Sequence, residues 1–400
     1  MEHPLSVVQF NFPTPIKYGP GAIALLAETL REFGVMRPLI VTDKGIVSLP
    51  PVTGPARALT DAGLAVQVFG GIWGNPTASQ AEAGAAAYKA HHADGIVAVG
   101  GGAALDVAKC IAVLAKHPGT LLEYDAFLPQ PRPIDLDVPP IFTVPTTAGT
   151  GSEVGRSAVV SDDVTHQKKI IFSPKLLAKR VFLDPELTLS LPSKVTAATG
   201  MDALTHCVES YLHPMFHPMC DGIALEGLRL IARSLPRVVA FAQRVEAGDT
   251  AVLTDPAHVE ARGEMLCAAM MGAVAFQKDL GVVHSCAHSL STVADLHHGL
   301  ANGIMIVVGM RFNQPVSAAK MATMAAVVGA QDSTADGFIA WLDAFRGEIG
   351  IPRSLRAVGV TDAQVAALVD NAMADVCHTF GPRQPVTRED FRQLFQEALG

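Results

Sequence analysis

The apolar pattern of this 400-residue chain changes its period once, near residue 190, and that change limits the fold more than any other feature. Before it, short apolar runs alternate with helical patterns. "RPLIVTD" (37–43), "LAVQVFGGI" (64–72), "DGIVAVG" (94–100) and "IFTVPTT" (141–147) read as buried strands. Between them, "PVTGPARALTDAG", "SQAEAGAAAYKAHHA" and "AALDVAKCIAVLAK" read as helices. Strands that alternate with helices of this length imply a parallel sheet joined by crossovers. After Leu191 the strand candidates stop. "SKVTAATGMDALTHCVESYL", "MCDGIALEGLRLIARSL", "ARGEMLCAAMMGAVAF", "GVVHSCAHSLSTVA" and "REDFRQLFQEAL" all carry helical spacing. The expected architecture is an α/β, Rossmann-like nucleotide-binding domain over 1–190 and an all-helical domain over 191–400, two domains being natural at this length.

Composition narrows the function classes. Apolar residues make up 49% of the chain and charged ones 17%, and the net charge is −8. No basic block occurs, so neither nucleic acid nor an anionic membrane surface is an expected partner. The longest apolar runs reach about a dozen residues, short of the ~20 that span a bilayer. The six cysteines form no C-x-x-C pair. Scattered within apolar runs, they suit free thiols in a reducing compartment. The start "MEHPLSVVQFNFPTPIKYG" lacks the layout of a signal peptide, and a cytoplasmic protein is expected.

Two polar stretches in the first half suggest a nucleotide site. In "GIVAVGGGAALDVAK" an apolar strand runs through Gly100, Gly101 and Gly102 into a helix. Glycines allow a tight turn and close approach, and the helix N-terminus attracts phosphate. The spacing is not G-x-G-x-x-G, and an ordinary strand-to-helix turn would look the same. "PTTAGTGSEVG" (145–155) adds the hydroxyls of Thr146, Thr147, Thr150 and Ser152. Asp43 ends "LIVTD", where a carboxylate can pair with the adenosine ribose and repel a 2′-phosphate, favouring NAD over NADP. A turn or helix cap is the plainer role for it.

The second half suggests a metal. Asp202 and His206 are four apart in "GMDALTHCVES", and His284 and His288 are four apart in "GVVHSCAHSLSTVADLHHG". Residues at i and i+4 share a helix face. His297 and His298 follow, with Gly299 reading as a turn behind them. Three imidazoles and a carboxylate suit Fe(II), Zn(II), Co(II) or Ni(II), and are too rich in nitrogen for Mg or Ca. Spacing alone leaves open which three of the four histidines bind.

"GGGAALDVAK", "PTTAGTGSE", "DPELT" (184–188), "GMDALTH" and the "H…H…HHG" array occur in this order. Together they resemble the iron-containing (group III) alcohol dehydrogenase family, over nearly the whole chain. The resemblance implies a dehydroquinate synthase-like two-domain architecture and a small alcohol or aldehyde as substrate. It implies Asp202, His206, His284 and His298 as metal ligands, with His297 outside the set. His288, Asp202 and His284 would carry the catalysis, His288 lying near the nicotinamide as proton relay or positioning group. NAD would meet Asp43, Asn75, Gly101, Gly102, Ala103, Asp106, Thr146, Thr147, Thr150, Ser152, Lys168, Leu187 and His288. The metal would be Fe(II), or Zn(II). Ala103 stands where the family usually has Ser, one hydroxyl fewer near the phosphates. The implied reaction is reversible hydride transfer between NAD and an alkoxide held by the metal, in a cleft between the domains. A homodimer is expected, with "SVVQFNF" as the pairing strand.

Competing readings fit less of the sequence. A lyase of the dehydroquinate synthase type would need Lys and Arg to grip a phosphorylated acid, and segments 200–220 and 281–303 contain neither. A hydrolase without nucleotide would leave the glycine turn and the hydroxyl loop unexplained. His213 and His217 read as loop residues, His378 as a lining group of the cleft, Cys207 and Cys286 as core thiols, and Asp162, Asp163 and Lys169 as a solvated hairpin.

Overall fold

The structure, a computed structural model, describes residues 11–400. Most of the segment "SVVQFNF" therefore lies outside the described residues. The chain forms two compact units. One comprises Pro13–Thr147 and Gly151–Leu191; the other comprises Pro192–Gly400 with Ala148–Thr150 and residues 11–12.

The first unit is α/β. In chain order it runs β1 (Ile16–Tyr18), α1 (Leu26–Glu32), β2 (Pro38–Asp43), α2 (Pro50–Asp61), β3 (Gln67–Ile72), α3 (Ala78–Ala90), β4 (Gly95–Gly100), α4 (Gly102–Lys116), β5 (Ile141–Pro145), β6 (Ser157–Ser161), β7 (Lys168–Phe172) and β8 (Arg180–Leu183). Six strands form a parallel sheet in the order β1-β8-β5-β4-β2-β3. β4 explains why apolar residues fill these strands without alternation. Its Ile96 and Ala98 enter one core, and Val97 and Val99 enter another on the opposite face. Both faces are covered, so both registers are apolar. From β2 the chain moves outward to β3, then returns past β2 to β4. The carboxyl ends of β2 and β4 thus flank a switch point, where open α/β sheets place ligands.

β6 and β7 form a separate antiparallel hairpin. Its tip, residues 163–167, is exposed as expected, while two of its charges are tied to neighbours. Asp163 accepts hydrogen bonds from the Ser79 amide and hydroxyl at the start of α3, 2.9 and 2.6 Å away. Lys169 pairs with Asp125, 3.4 Å away, whose carboxylate is almost fully buried. The short strands β1 and β8 carry no periodic signal of their own.

The second unit holds eight helices among the described residues: α5 (Ser193–Leu212), α6 (Pro218–Glu246), α7 (Pro256–Ala275), α8 (Val282–Ala294), α9 (His298–Val328), α10 (Ala335–Glu348), α11 (Val365–Ala374) and α12 (Arg388–Leu399). A single core joins them, with Met201, Leu204, Val208, Ile231, Leu290 and Ile306 fully buried. α6 and α9 continue through Pro236 and Pro315. An internal proline forfeits a backbone hydrogen bond, so propensity alone ends the first pattern at Leu235. Burial of Val238, Val239 and Ala242 beyond it carries α6 onward. Among the described residues, no single helix is long and apolar enough to cross a membrane.

Two histidine expectations change here, although both residues do lie in the loop between α5 and α6. His217 is the N-cap of α6 and accepts from the Cys220 amide at 3.2 Å. His213 caps the end of α5, and its Nδ1 accepts from the Met215 amide at 3.0 Å. Both are buried, so they build helix ends and are not incidental loop groups. His378 is also buried and meets Phe391 edge-on, 5.3 Å between centroids.

Candidate metal centre

Asp202 and His206 lie one turn apart on α5, His284 on the first turn of α8, and His298 at the first residue of α9. The Nε2 atoms of the three histidines face the same carboxylate oxygen. Asp202 Oδ1 is 3.3 Å from His298 Nε2, 3.8 Å from His206 Nε2 and 3.9 Å from His284 Nε2. Ligands about 2.1 Å from one cation in tetrahedral geometry stand about 3.4 Å apart. These separations therefore suit a shared ion. Asp202, His206 and His284 offer donor atoms that all lie within 4.8 Å of one another. His297, the N-cap residue of α9, is exposed.

The chemistry of the donors fits a cation as well as the distances do. The His206 and His284 rings stack, with centroids 4.8 Å apart and planes 14° apart. Two stacked, buried imidazoles do not both carry charge at low cost. Burial pushes His206 down to about 4, so the ring is neutral and its lone pair is available near pH 7. The Asn302 side chain lies against the same atoms. Its Nδ2 donates to Asp202 Oδ1 at 2.8 Å, and its Oδ1 is buried without a hydrogen-bond partner. The same Nδ2 lies 3.4 Å from His284 Nε2 and 3.3 Å from His298 Nε2, so an N–H donor sits where the acceptor atoms converge.

Gly299 does not form the expected turn. It is helical, within the first turn of α9. A Cβ there would sit 2.2 Å from the Ala198 carbonyl oxygen and 3.2 Å from Asp202 Cβ. The glycine lets α9 press against α5, which brings His298 to Asp202.

Two carboxylates escaped the sequence reading. Glu209 Oε2 accepts from His284 Nδ1 at 2.6 Å, and Asp375 Oδ2 accepts from His288 Nδ1 at 2.7 Å. Burial alone would raise Asp375. The adjacent His288 ring, the Ser285 hydroxyl and the Cys377 amide outweigh it and hold the carboxyl well below its usual range. With Nδ1–H given to Asp375, His288 carries its acceptor lone pair on Nε2. Its ring lies 5.1 Å from that of His298, nearly parallel. Glu209 was legible: with Asp202 and His206 it completes an i, i+4, i+7 face. Asp375 follows α11, far along the chain from His288, and no spacing announces it.

The residues expected to meet the dinucleotide divide between the two units. Asp43, Asn75, Gly101, Gly102, Ala103, Asp106, Thr146, Thr147, Ser152, Lys168 and Leu187 belong to the α/β unit; Thr150 and His288 belong to the helical one. A groove of about 490 Å³ opens at the carboxyl ends of β2, β3 and β4, lined by Asp43, Lys44, Gly45, Ile72, Trp73, Gly74, Gly101 and Ala103. Gly100 turns there at φ +151°, and a Cβ on it would sit 2.7 Å from Ala104 Cβ and 3.4 Å from Asp43 Oδ2. Asn75 follows Gly74 in the loop after β3.

Asp106 and Ser152 hydrogen-bond to each other. Asp106 accepts from the Ser152 hydroxyl at 2.5 Å and from the Val159 amide at 3.0 Å. Fully buried Lys109 donates to Ser152 Oγ and to the Ser152 and Ser157 carbonyls, at 2.7 to 2.8 Å. Burial pushes Asp106 up and Lys109 down, and each partly offsets the other. This network fastens α4 to β6 and to the turn at 152–154. Lys109 went unnoticed because its motif reads as an amphipathic helix. Lys168 opens β7, and Leu187 packs against a core of the sheet.

Comparison with known proteins now bears on this geometry. The iron-containing alcohol dehydrogenase profile matches residues 13–185, and that of the C-terminal part of the Fe-containing alcohol dehydrogenase family matches 196–399. The 4-hydroxybutyrate dehydrogenase of Cupriavidus necator is 37% identical over 388 residues, 95% of this chain and 96% of that protein. A crystal structure of a 1,3-propanediol oxidoreductase superimposes with a TM-score of 0.89 at 32% identity, covering 98% of this chain and all of the other. The sulfoacetaldehyde reductase of Bifidobacterium kashiwanohense, solved in complex with NAD+, gives a TM-score of 0.83 at 27% identity, covering 98% of this chain and 99% of the other.

Proposed function

The chain belongs to the iron-containing alcohol dehydrogenase family, and from that we propose that Asp202, His206, His284 and His298 hold its divalent metal while the β2–β4 groove takes NAD. It is an oxidoreductase that interconverts an alcohol and its aldehyde or ketone. The observation that carries the site assignment is the convergence of three imidazole Nε2 atoms on one buried carboxylate oxygen. When bound, a divalent metal supplies Lewis acidity toward the substrate oxygen, and NAD supplies the hydride acceptor.

The chain's own residues do the rest. Asp202 brings one negative charge to a pocket of neutral imidazoles, leaving a cation there net positive toward a substrate oxygen. His288, held through Nδ1 by Asp375, is the group we assign to receive the alcohol's proton at Nε2 or to position the nicotinamide. Asp43, at the mouth of the groove, favours NAD over NADP by charge. Three nitrogens and one oxygen suit Fe(II), our assignment, with Zn(II) the alternative. No Lys or Arg occurs in 200–220 or 281–303, which favours a small neutral alcohol. A cytoplasmic homodimer belongs to the same proposal, and light scattering tests the dimer.

Metal analysis of anaerobically purified protein, followed by a panel of alcohols and aldehydes with NAD and NADP, tests this reading. The Asp202→Asn variant sharpens it. We expect it to lose most of its metal and at least ~10²-fold in kcat/KM. Full metal content with full activity in that variant would remove Asp202 from the ligand set.

A further inference from the structure

Glu209 is buried in the helical unit, and among the described residues no Lys or Arg pairs with it. A buried carboxylate without a cation needs several donors. Glu209 finds them at one place. The amides of Gly281, Val283 and His284 donate to it at 3.1, 2.8 and 3.2 Å, and His284 Nδ1 donates at 2.6 Å. The three amides are the orphan donors that open α8, where the helix dipole favours negative charge. Gly281 makes the room: a Cβ on it would stand 2.7 Å from Glu209 Oε1.

We propose that Glu209 is the positioning residue of the metal centre. This rests on the ligand assignment above. Its carboxylate does two things at once. It fixes the start of α8 relative to α5, which bears Asp202 and His206. It also holds the proton of His284 on Nδ1, so that Nε2, the atom facing Asp202 Oδ1, carries the lone pair. The site is thereby set before the metal arrives. A carboxylate behind a ligand histidine also makes that ring a stronger donor, and such partners affect metal affinity by about 10- to 100-fold.

The test uses Co(II), whose d–d absorption reports ligand geometry, and the full-length protein stripped of metal. Co(II) affinity is measured by chelator competition for wild type and for Glu209→Gln, with thermal unfolding of both metal-free forms. The Gln carbonyl can still accept from the α8 amides, so a mere cap is largely kept. We expect Glu209→Gln to bind Co(II) about 10- to 100-fold more weakly, with an altered d–d band. Unchanged affinity and an unchanged band, whatever happens to thermal stability, would reduce Glu209 to a helix cap and overturn the proposal. Should that variant fail to fold, Gly281→Ala makes the same comparison, because the added Cβ displaces the carboxylate without removing it. Weaker Co(II) binding is again expected, and wild-type binding overturns the proposal. Asp202→Asn separates the two levels: if it keeps wild-type Co(II) affinity, the ligand assignment itself falls.

Discussion

Ala103 borders the groove on the first turn of α4 without a hydroxyl to offer. A serine there would add one donor at a helix N-terminus, where phosphate is already favoured. One net hydrogen bond contributes about 0.5–1.5 kcal/mol, so Ala103→Ser should tighten NADH binding by roughly 2- to 10-fold in a fluorescence titration. No change in affinity would place the phosphates elsewhere. Individual residues were legible in the sequence where one helix holds both partners. Asp202 and His206 declare themselves by an i, i+4 spacing, and Glu209 extends the same face. Asp375 and Asn302 stayed hidden because tertiary folding alone brings them to His288 and Asp202. The network that joins Asp106 and Ser152 was hidden for a related reason. Tertiary folding alone brings the buried Lys109 to the Ser152 oxygens.

Helix packing around α5 decides the centre's geometry. Gly299 is the clearest case, since a methyl group there would strike the Ala198 carbonyl. Overpacking of this kind typically costs 1–3 kcal/mol. Gly299→Ala should therefore melt several degrees lower and hold less metal per chain, measured by calorimetry and elemental analysis. Normal melting would mean that α9 can begin further from α5 without loss. The same glycine shows why the start of α9 was misread. A glycine after a polar pair signals a turn when judged by backbone freedom, and here it answers to space. The strands of the parallel sheet were easier to read, because burial on both faces leaves an unbroken apolar run. The hairpin strands β6 and β7 and the short β1 and β8 lack such runs, and tertiary pairing alone defines them. Lys320, from α9, shows packing at work again: its amine donates to the Tyr211 and His213 carbonyls at the end of α5, 2.7 and 2.9 Å away.

Across the whole molecule, the burial of histidines sets the response to acid. Burial pushes both His206 and His213 down to about 4. In the unfolded chain each titrates near 6.5. As pH falls, the unfolded state takes up protons first, so stability is full above about 6.5 and is lost on the way down to about 4. For the metal-free protein the loss between pH 7.5 and pH 5 should be on the order of 2 kcal/mol for each histidine, read as a fall in the urea midpoint. A midpoint that stayed constant over this range would show these rings to be hydrated. One consequence reaches beyond stability. α5 by itself supplies only Asp202 and His206, and the remaining donors arrive with α8 and α9, distant in sequence. The proposed ion therefore has no home on the growing or half-folded chain. With that ligand set, metallation would follow folding, and the ion acquired would be set by what the finished protein meets in its surroundings.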